Sequence, residues 1–176
     1  MNLIRTTAMV TVLGAVFVAA VLADEPKPKA PPATAPAEVQ ADGSLLLTPL
    51  GARLHGTKLH VEKLPTPVIV NWVDPIENVE WVKAVAKKGK YEVEITYSCP
   101  PNAGGEFVVA AAASKVVGHT ENTGNWQTFR TVKLGSVTVL NDQTTVALRP
   151  TGAFNHVLMN VRSVKLTPMP EEKPKK

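Results

Sequence analysis

The chain has 176 residues, 44% hydrophobic and 19% charged, enough for one domain with a real core and flanking segments. With 19 basic and 15 acidic residues the net charge is only +4. The lysines are scattered rather than striped, and no aromatics interleave with them, which argues against nucleic acid as a partner.

Taken in order, the chain opens with an export signal. Residues 1–7 carry one positive charge, Arg5, and 8–22 are apolar apart from Thr11. That run is short of the roughly 20 residues a bilayer span needs. Val21 and Ala23 hold the small-residue positions of a cleavage site before Asp24. No cysteine follows, so lipoprotein processing is not expected. Residues 1–23 therefore read as a signal peptide, and the cleaved protein is expected in the periplasm or the extracellular medium, without a membrane span. In that oxidising setting the sole cysteine, Cys99, has no internal disulfide partner and is safest buried. Residues 24–43, with Pro26, Pro28, Pro31, Pro32 and Pro36 among Ala, Lys and Glu, read as a stiff linker. Residues 169–176 have the same character and read as a disordered tail. The folded module is expected between them, over 44–168.

Within the module nearly every signal is for β-structure. Short apolar or alternating runs at 45–47, 52–55 and 58–62 are divided by Pro49-Leu50-Gly51 and Gly56-Thr57. A run rich in branched residues at 68–73 ends at Asp74-Pro75, and 79–86 stops at Lys87-Lys88-Gly89. Next, Tyr91, Val93, Ile95 and Tyr97 share one face while Glu92, Glu94, Thr96 and Ser98 share the other, as a half-exposed strand requires. Residues 107–112 are continuously apolar and are expected to be covered on both faces. Strands are then expected at 126–134, 136–140, 144–149 and 156–166. About ten short strands with no amphipathic helix predict an all-β fold, an antiparallel β-sandwich of jelly-roll type.

Catalytic constellations are not found. His55 and His60 fall on opposite sides of a continuous strand, His119 and His156 lie in or beside loops, and no zinc-ligand spacing joins them. Glu92 and Glu94 read as a soluble strand face rather than a catalytic carboxylate pair. There is no Gly-x-Ser-x-Gly elbow, phosphate loop or His-Glu-x-x-His. No enzyme activity, metal or cofactor is expected.

The segment 123–140 carries most of the functional signal. Gly124 and Asn125 form a turn that delivers Trp126, after which Phe129, Thr131 and Lys133 share one strand face and Arg130, Val132 and Leu134 the other. A flat indole at the mouth of a strand suits stacking on a sugar, and it also suits core packing.

Several segments together resemble a family 6 carbohydrate-binding module or a close relative in the galactose-binding-like β-sandwich group. They are Val70-Asn71-Trp72, Val79-Glu80-Trp81-Val82, Gly89-Lys90-Tyr91-Glu92-Val93, Thr123-Gly124-Asn125-Trp126-Gln127-Thr128-Phe129 and Met159-Asn160-Val161. The resemblance covers most of 44–168. It implies a non-catalytic saccharide site between loops at one end of the sandwich, with Trp72 and Trp126 as the two aromatic walls and Asn160 bonding sugar hydroxyls. Trp81, inside an alternating strand, is expected in the core. The resemblance also implies work beside secreted sulfatases or glycosidases. Where the family has an early Ala-Glu that helps hold calcium, this chain has Ala52-Arg53, and Glu62 alone does not make a calcium site. With 5% aromatic residues an extended polysaccharide platform is not expected. The other reading is a structural or interaction sandwich of a cell-envelope or extracellular assembly, without sugar binding.

Overall fold

The computed structural model describes residues 37–63, 65–85 and 87–170. The signal peptide, most of the linker and the last six residues of the tail lie outside that range. The described strands are β1 (Glu38–Val39), β2 (Leu45–Leu47), β3 (Arg53–His55), β4 (His60–Glu62), β5 (Val68–Val70), β6 (Asn78–Val85), β7 (Gly89–Ser98), β8 (Glu106–Ala111), β9 (Ser114–His119), β10 (Arg130–Val139), β11 (Thr144–Pro150) and β12 (Asn160–Pro168). One turn of 3-10 helix, Pro49–Gly51, follows β2.

The strands form two antiparallel sheets packed face to face, the sandwich that the alternating runs predict. In the seven-stranded sheet β12 is central. β7 pairs along one side of it and β10 pairs with β7 beyond. The other side of β12 is shared, with β2 on its C-terminal half and β5 opposite Val161. The second sheet has five strands in the order β3-β6-β11-β8-β9. Contacts between β9 and β10, including Thr138 N–H to Ser114 Oγ at 2.8 Å, close one flank of the sandwich.

Period-two burial explains how the sheets face each other. Tyr91, Val93, Ile95 and Tyr97 point into the core, and Glu92, Glu94 and Thr96 point outward. From the other sheet come Val79, Trp81, Phe107, Val109, Val146 and Leu148. Tyr97 and Phe107 meet edge to face across the interior, ring centres 6.4 Å apart. Val108 is buried as well, so β8 is covered on both faces as its apolar run requires. The outward Glu92 and Glu94 both engage Lys133 on β10, at 2.9 and 3.9 Å, which accounts for their spacing without catalysis.

Several boundaries differ from the sequence reading. Glu38–Val39, inside the expected linker, pairs with Leu45–Leu46, and the turn between them is held by Asp42, which accepts from Ser44. These two bonds hold the Asp42 carboxyl down to about 2. The two strands expected at 126–134 and 136–140 are one strand, β10, with Leu134 as the extra residue of a bulge just before Gly135, while 126–129 remain loop. Residues 114–119 form β9, an edge strand outside the expected set. β12 begins at Asn160 rather than at 156, because His156 takes a left-handed φ of 50° and cannot extend the strand.

Candidate functional site

At the end of the sandwich where β7 finishes and β12 begins, three chain segments surround a hollow of about 570 Å³. One wall is the loop that carries Trp126 and leads into β10. Another is the β4–β5 hairpin with Asn71. The floor is the outer face of β5 and the first turn of β12, with Asn160 and Arg162.

The loop from Thr120 to Phe129 has almost no regular structure, yet it is pinned at many points. Thr123 N–H donates to Cys99 O at 2.7 Å, and Thr123 Oγ accepts from Cys99 N–H at 2.9 Å. Glu121 N–H donates to the Tyr97 hydroxyl at 2.8 Å. Ser98 Oγ donates to Trp126 O at 2.8 Å, fixing the backbone of Trp126 to the end of β7. Asn125 Oδ1 accepts from the N–H groups of Gln127 and Thr128, both at 2.8 Å, and from Thr128 Oγ at 3.0 Å. An Asx turn of this kind replaces the hydrogen bonds that a strand or helix would provide. The result is a half-buried indole whose main chain is fixed by hydrogen bonds on both sides.

Asn160, the other residue expected here, opens β12 opposite Ser98 and lines the same hollow. Its side-chain amide has no hydrogen-bond partner among the described residues. Asn71 also lines the hollow, in a left-handed conformation, φ 61°, with Nδ2 donating to Lys58 O at 3.0 Å. So Trp126 and Asn160 are brought together.

Trp72 is not brought to that surface. Its side chain is fully buried within the core cluster, and its indole N–H donates to Glu77 O at 3.2 Å. The expectation that it forms the second aromatic wall is corrected by the loop that follows it. The chain returns to the indole at Glu77, whose carbonyl takes the ring N–H, and the buried Glu77 carboxylate anchors that segment. Glu77 Oε1 accepts the N–H groups of Thr57, Lys58 and Leu59 at 2.9, 2.8 and 3.3 Å. A satisfied N–H and a closed cover are what make a tryptophan a core residue. Trp81 is buried as expected, its N–H donating to Thr48 O at 2.8 Å.

Two residues that sequence reading missed also face the hollow. The Arg162 guanidinium lies over the Phe129 ring, 3.7 Å from its centre. Phe129, expected on a strand face, lies in the loop before β10. A signal for Arg162 was present: the buried positions of β12 run Val161, Val164, Leu166, a step of three where a flat strand has two.

The four histidines do not converge. His55 pairs with Glu80 at 3.0 Å, and His60 and His119 bond nearby carbonyl oxygens. Among the described residues no three His, Cys, Asp or Glu side chains come together as metal ligands. A second hollow of about 550 Å³ lies at the opposite end of β7, but its one ring, Tyr91, is buried, with the hydroxyl donating to Lys87 O.

No family model matches this chain, and no curated protein matches it. Solved structures do. A family 35 carbohydrate-binding module from Clostridium thermocellum superposes with a TM-score of 0.58 at 16% identity, over 72% of this chain and 98% of that one. The family 6 module CBM6cm-2 of Cellvibrio mixtus lichenase 5A, solved with cellotriose, gives 0.54 at 15% identity, over 71% and 97%. The mosquito-larvicidal Cry4Aa toxin from Bacillus thuringiensis gives 0.56 at 11% identity, over 73% of this chain and 24% of the toxin. At these identities the likeness is one of fold: the sandwich is the one that family 35 and family 6 carbohydrate-binding modules share.

Proposed function

We propose that this protein is an exported, non-catalytic carbohydrate-binding module that seats a saccharide in the hollow beside Trp126. The observation that carries the reading is the pairing of a rigidly mounted, half-exposed indole with the unengaged amide of Asn160 across one hollow. An indole face packs against the C–H groups of a pyranose, and an amide offers both a donor and an acceptor to its hydroxyls. The likeness of fold to modules of families 6 and 35 supports the same reading. With Trp72 in the core, the saccharide has one aromatic wall rather than two, and Phe129 with Arg162 stands where a second wall would be useful.

One stacked ring gives modest affinity, with a dissociation constant on the order of 0.1–1 mM, roughly 4–5.5 kcal/mol. Such a module would act beside secreted sulfatases or glycosidases, holding them to their polymer. A glycan array followed by calorimetric titration of the protein and of Trp126→Ala tests the reading. The expected result is a glycan that the protein binds and the folded variant binds about tenfold more weakly. Unchanged binding by the variant places the site elsewhere. Silence across the array leaves the sandwich as an interaction module without sugar binding.

A further inference from the structure

Arg162 occupies an unusual place. Along β12, Val161 stands opposite Tyr97 and Ser163 opposite Thr96, so Arg162 is the extra residue of a β-bulge. A bulge turns the side chain of its extra residue away from where regular pleating would send it. Here it sends the guanidinium onto the Phe129 ring and into the wall of the hollow. On the outer face of this sheet Lys133 is neutralised by Glu92 and Glu94 and Lys165 by Asp42, while Lys90 is exposed to solvent and needs no partner. Arg162 pairs with no carboxylate among the described residues, and its Nε is buried without an acceptor. Glu62 lines the same hollow but is exposed and makes no ion pair with it.

A half-buried cation without a counter-ion is costly unless something supplies the missing charge. The ring beneath it offsets part of that cost and holds the guanidinium plane in one orientation. Its outer N–H groups remain for an anion entering the hollow, and charge-assisted bonds of this kind are about twice as strong as neutral ones. Resting on the saccharide reading above, we propose that the ligand is an acidic saccharide. It carries a sulfate ester or a carboxylate, and Arg162 on its Phe129 stack selects for that group. Trp126 takes the sugar ring, Asn160 a hydroxyl, and Arg162 the anion.

The test is calorimetric titration of the full protein with three probes of equal length: a neutral galacto-oligosaccharide, an oligogalacturonide and a sulfated galacto-oligosaccharide. At least one acidic probe is expected to bind about tenfold or more tightly than the neutral one, losing that margin as salt is raised. Arg162→Gln should abolish the preference, so that the variant binds acidic and neutral probes alike. Which acidic probe responds separates the carboxylate from the sulfate. Arg162→Lys keeps the charge but not the planar stack and should recover only part of the preference. If the glutamine variant does not fold, the salt dependence of the unaltered protein on acidic against neutral probes still decides. A neutral probe bound as tightly as both acidic ones, or a preference that survives Arg162→Gln, overturns the proposal while leaving the saccharide reading standing. No binding by any probe overturns both.

Discussion

Trp72 and Trp126 arrive in the sequence with similar credentials, each after a β-run or turn and each beside an asparagine. The fold treats them oppositely. Trp72 is fully buried, has its N–H bonded to Glu77 O and sits among the inner residues of both sheets. Trp126 is mounted by its backbone, through Ser98 and the Asn125 turn, so its ring is free to border a hollow. What separates a core indole from a surface platform here is which atoms hold it. A ring held by its own packing belongs to the core, and a ring held by its main chain is available to a ligand.

The largest expected effect follows from that difference. Trp72→Ala should cost about 3–5 kcal/mol of stability, the usual range for emptying a large buried aromatic site. Trp126→Ala should cost less than about 1 kcal/mol, because a half-exposed ring removes little area from water. Urea denaturation of both variants measures the contrast. Equal losses would mean that Trp126 is a packing residue after all.

A smaller effect tests the mounting itself. Thr123→Val removes the hydroxyl that accepts the Cys99 N–H, leaving a part-buried donor without a partner. The expected loss is about 1–3 kcal/mol. Because the same threonine ties the loop to β7, glycan affinity should fall together with stability. A variant that loses stability but keeps full affinity would show that the Asn125 turn alone positions the indole.

The alternation of β7, the doubly covered β8 and the turn before Trp126 were all legible, since each is written in local chemistry. What was not legible has particular causes. The β8–β9 hairpin turns on Ala112 and Ala113, with Ala112 at φ 54° and no Gly or Asn to mark the turn. Gly135 reads as a strand break, but β10 runs through it, pairing Gly135 with Val93 and leaving Leu134 as the extra residue of a bulge. The bond that holds the Trp72 indole comes from Glu77, which is itself fixed by Thr57, Lys58 and Leu59, a contact between distant segments that no local pattern encodes. For the same reason the pairing of Trp126 with Asn160 was reached through a resemblance, whereas for Arg162 the only local sign is the uneven spacing of Val161, Val164 and Leu166.

Alkaline pH should loosen the base of the Trp126 loop. Burial raises the Cys99 thiol above its ordinary 9.0 and the Tyr97 hydroxyl above its ordinary 10.0. In the unfolded chain both groups lose protons at the ordinary values, while in the fold they hold them longer. Stability is therefore fully present below pH 9.0 and declines as pH rises through the folded values. Both groups sit under residues 120–123, one bonded to Glu121 N–H and the other beside Thr123. The expected readout is a denaturation midpoint that falls above pH 9.0, with Cys99 slow to react with a thiol reagent in the folded protein at neutral pH. A flat profile to higher pH, or rapid labelling at neutral pH, would show the loop base to be open.

The smallest effect concerns the turn that delivers the indole. Gly124 has a φ of 96°, a conformation that side chains rarely adopt, yet a Cβ built there meets nothing within 4 Å. Gly124→Ala therefore carries a backbone cost without a packing cost, about 1 kcal/mol. Asn122 Oδ1 accepts the Gly124 N–H at 2.7 Å, and Thr123 and Asn125 hold the residues on either side. Those bonds should keep the turn in place, so glycan affinity and Trp126 fluorescence are expected to stay within about twofold of the parent. A variant that keeps its stability but loses its affinity would mean the turn has relaxed to an ordinary φ and carried the ring away from the hollow. In that case the main-chain mounting of Trp126 is softer than its hydrogen bonds imply, and the contrast with Trp72 is one of degree.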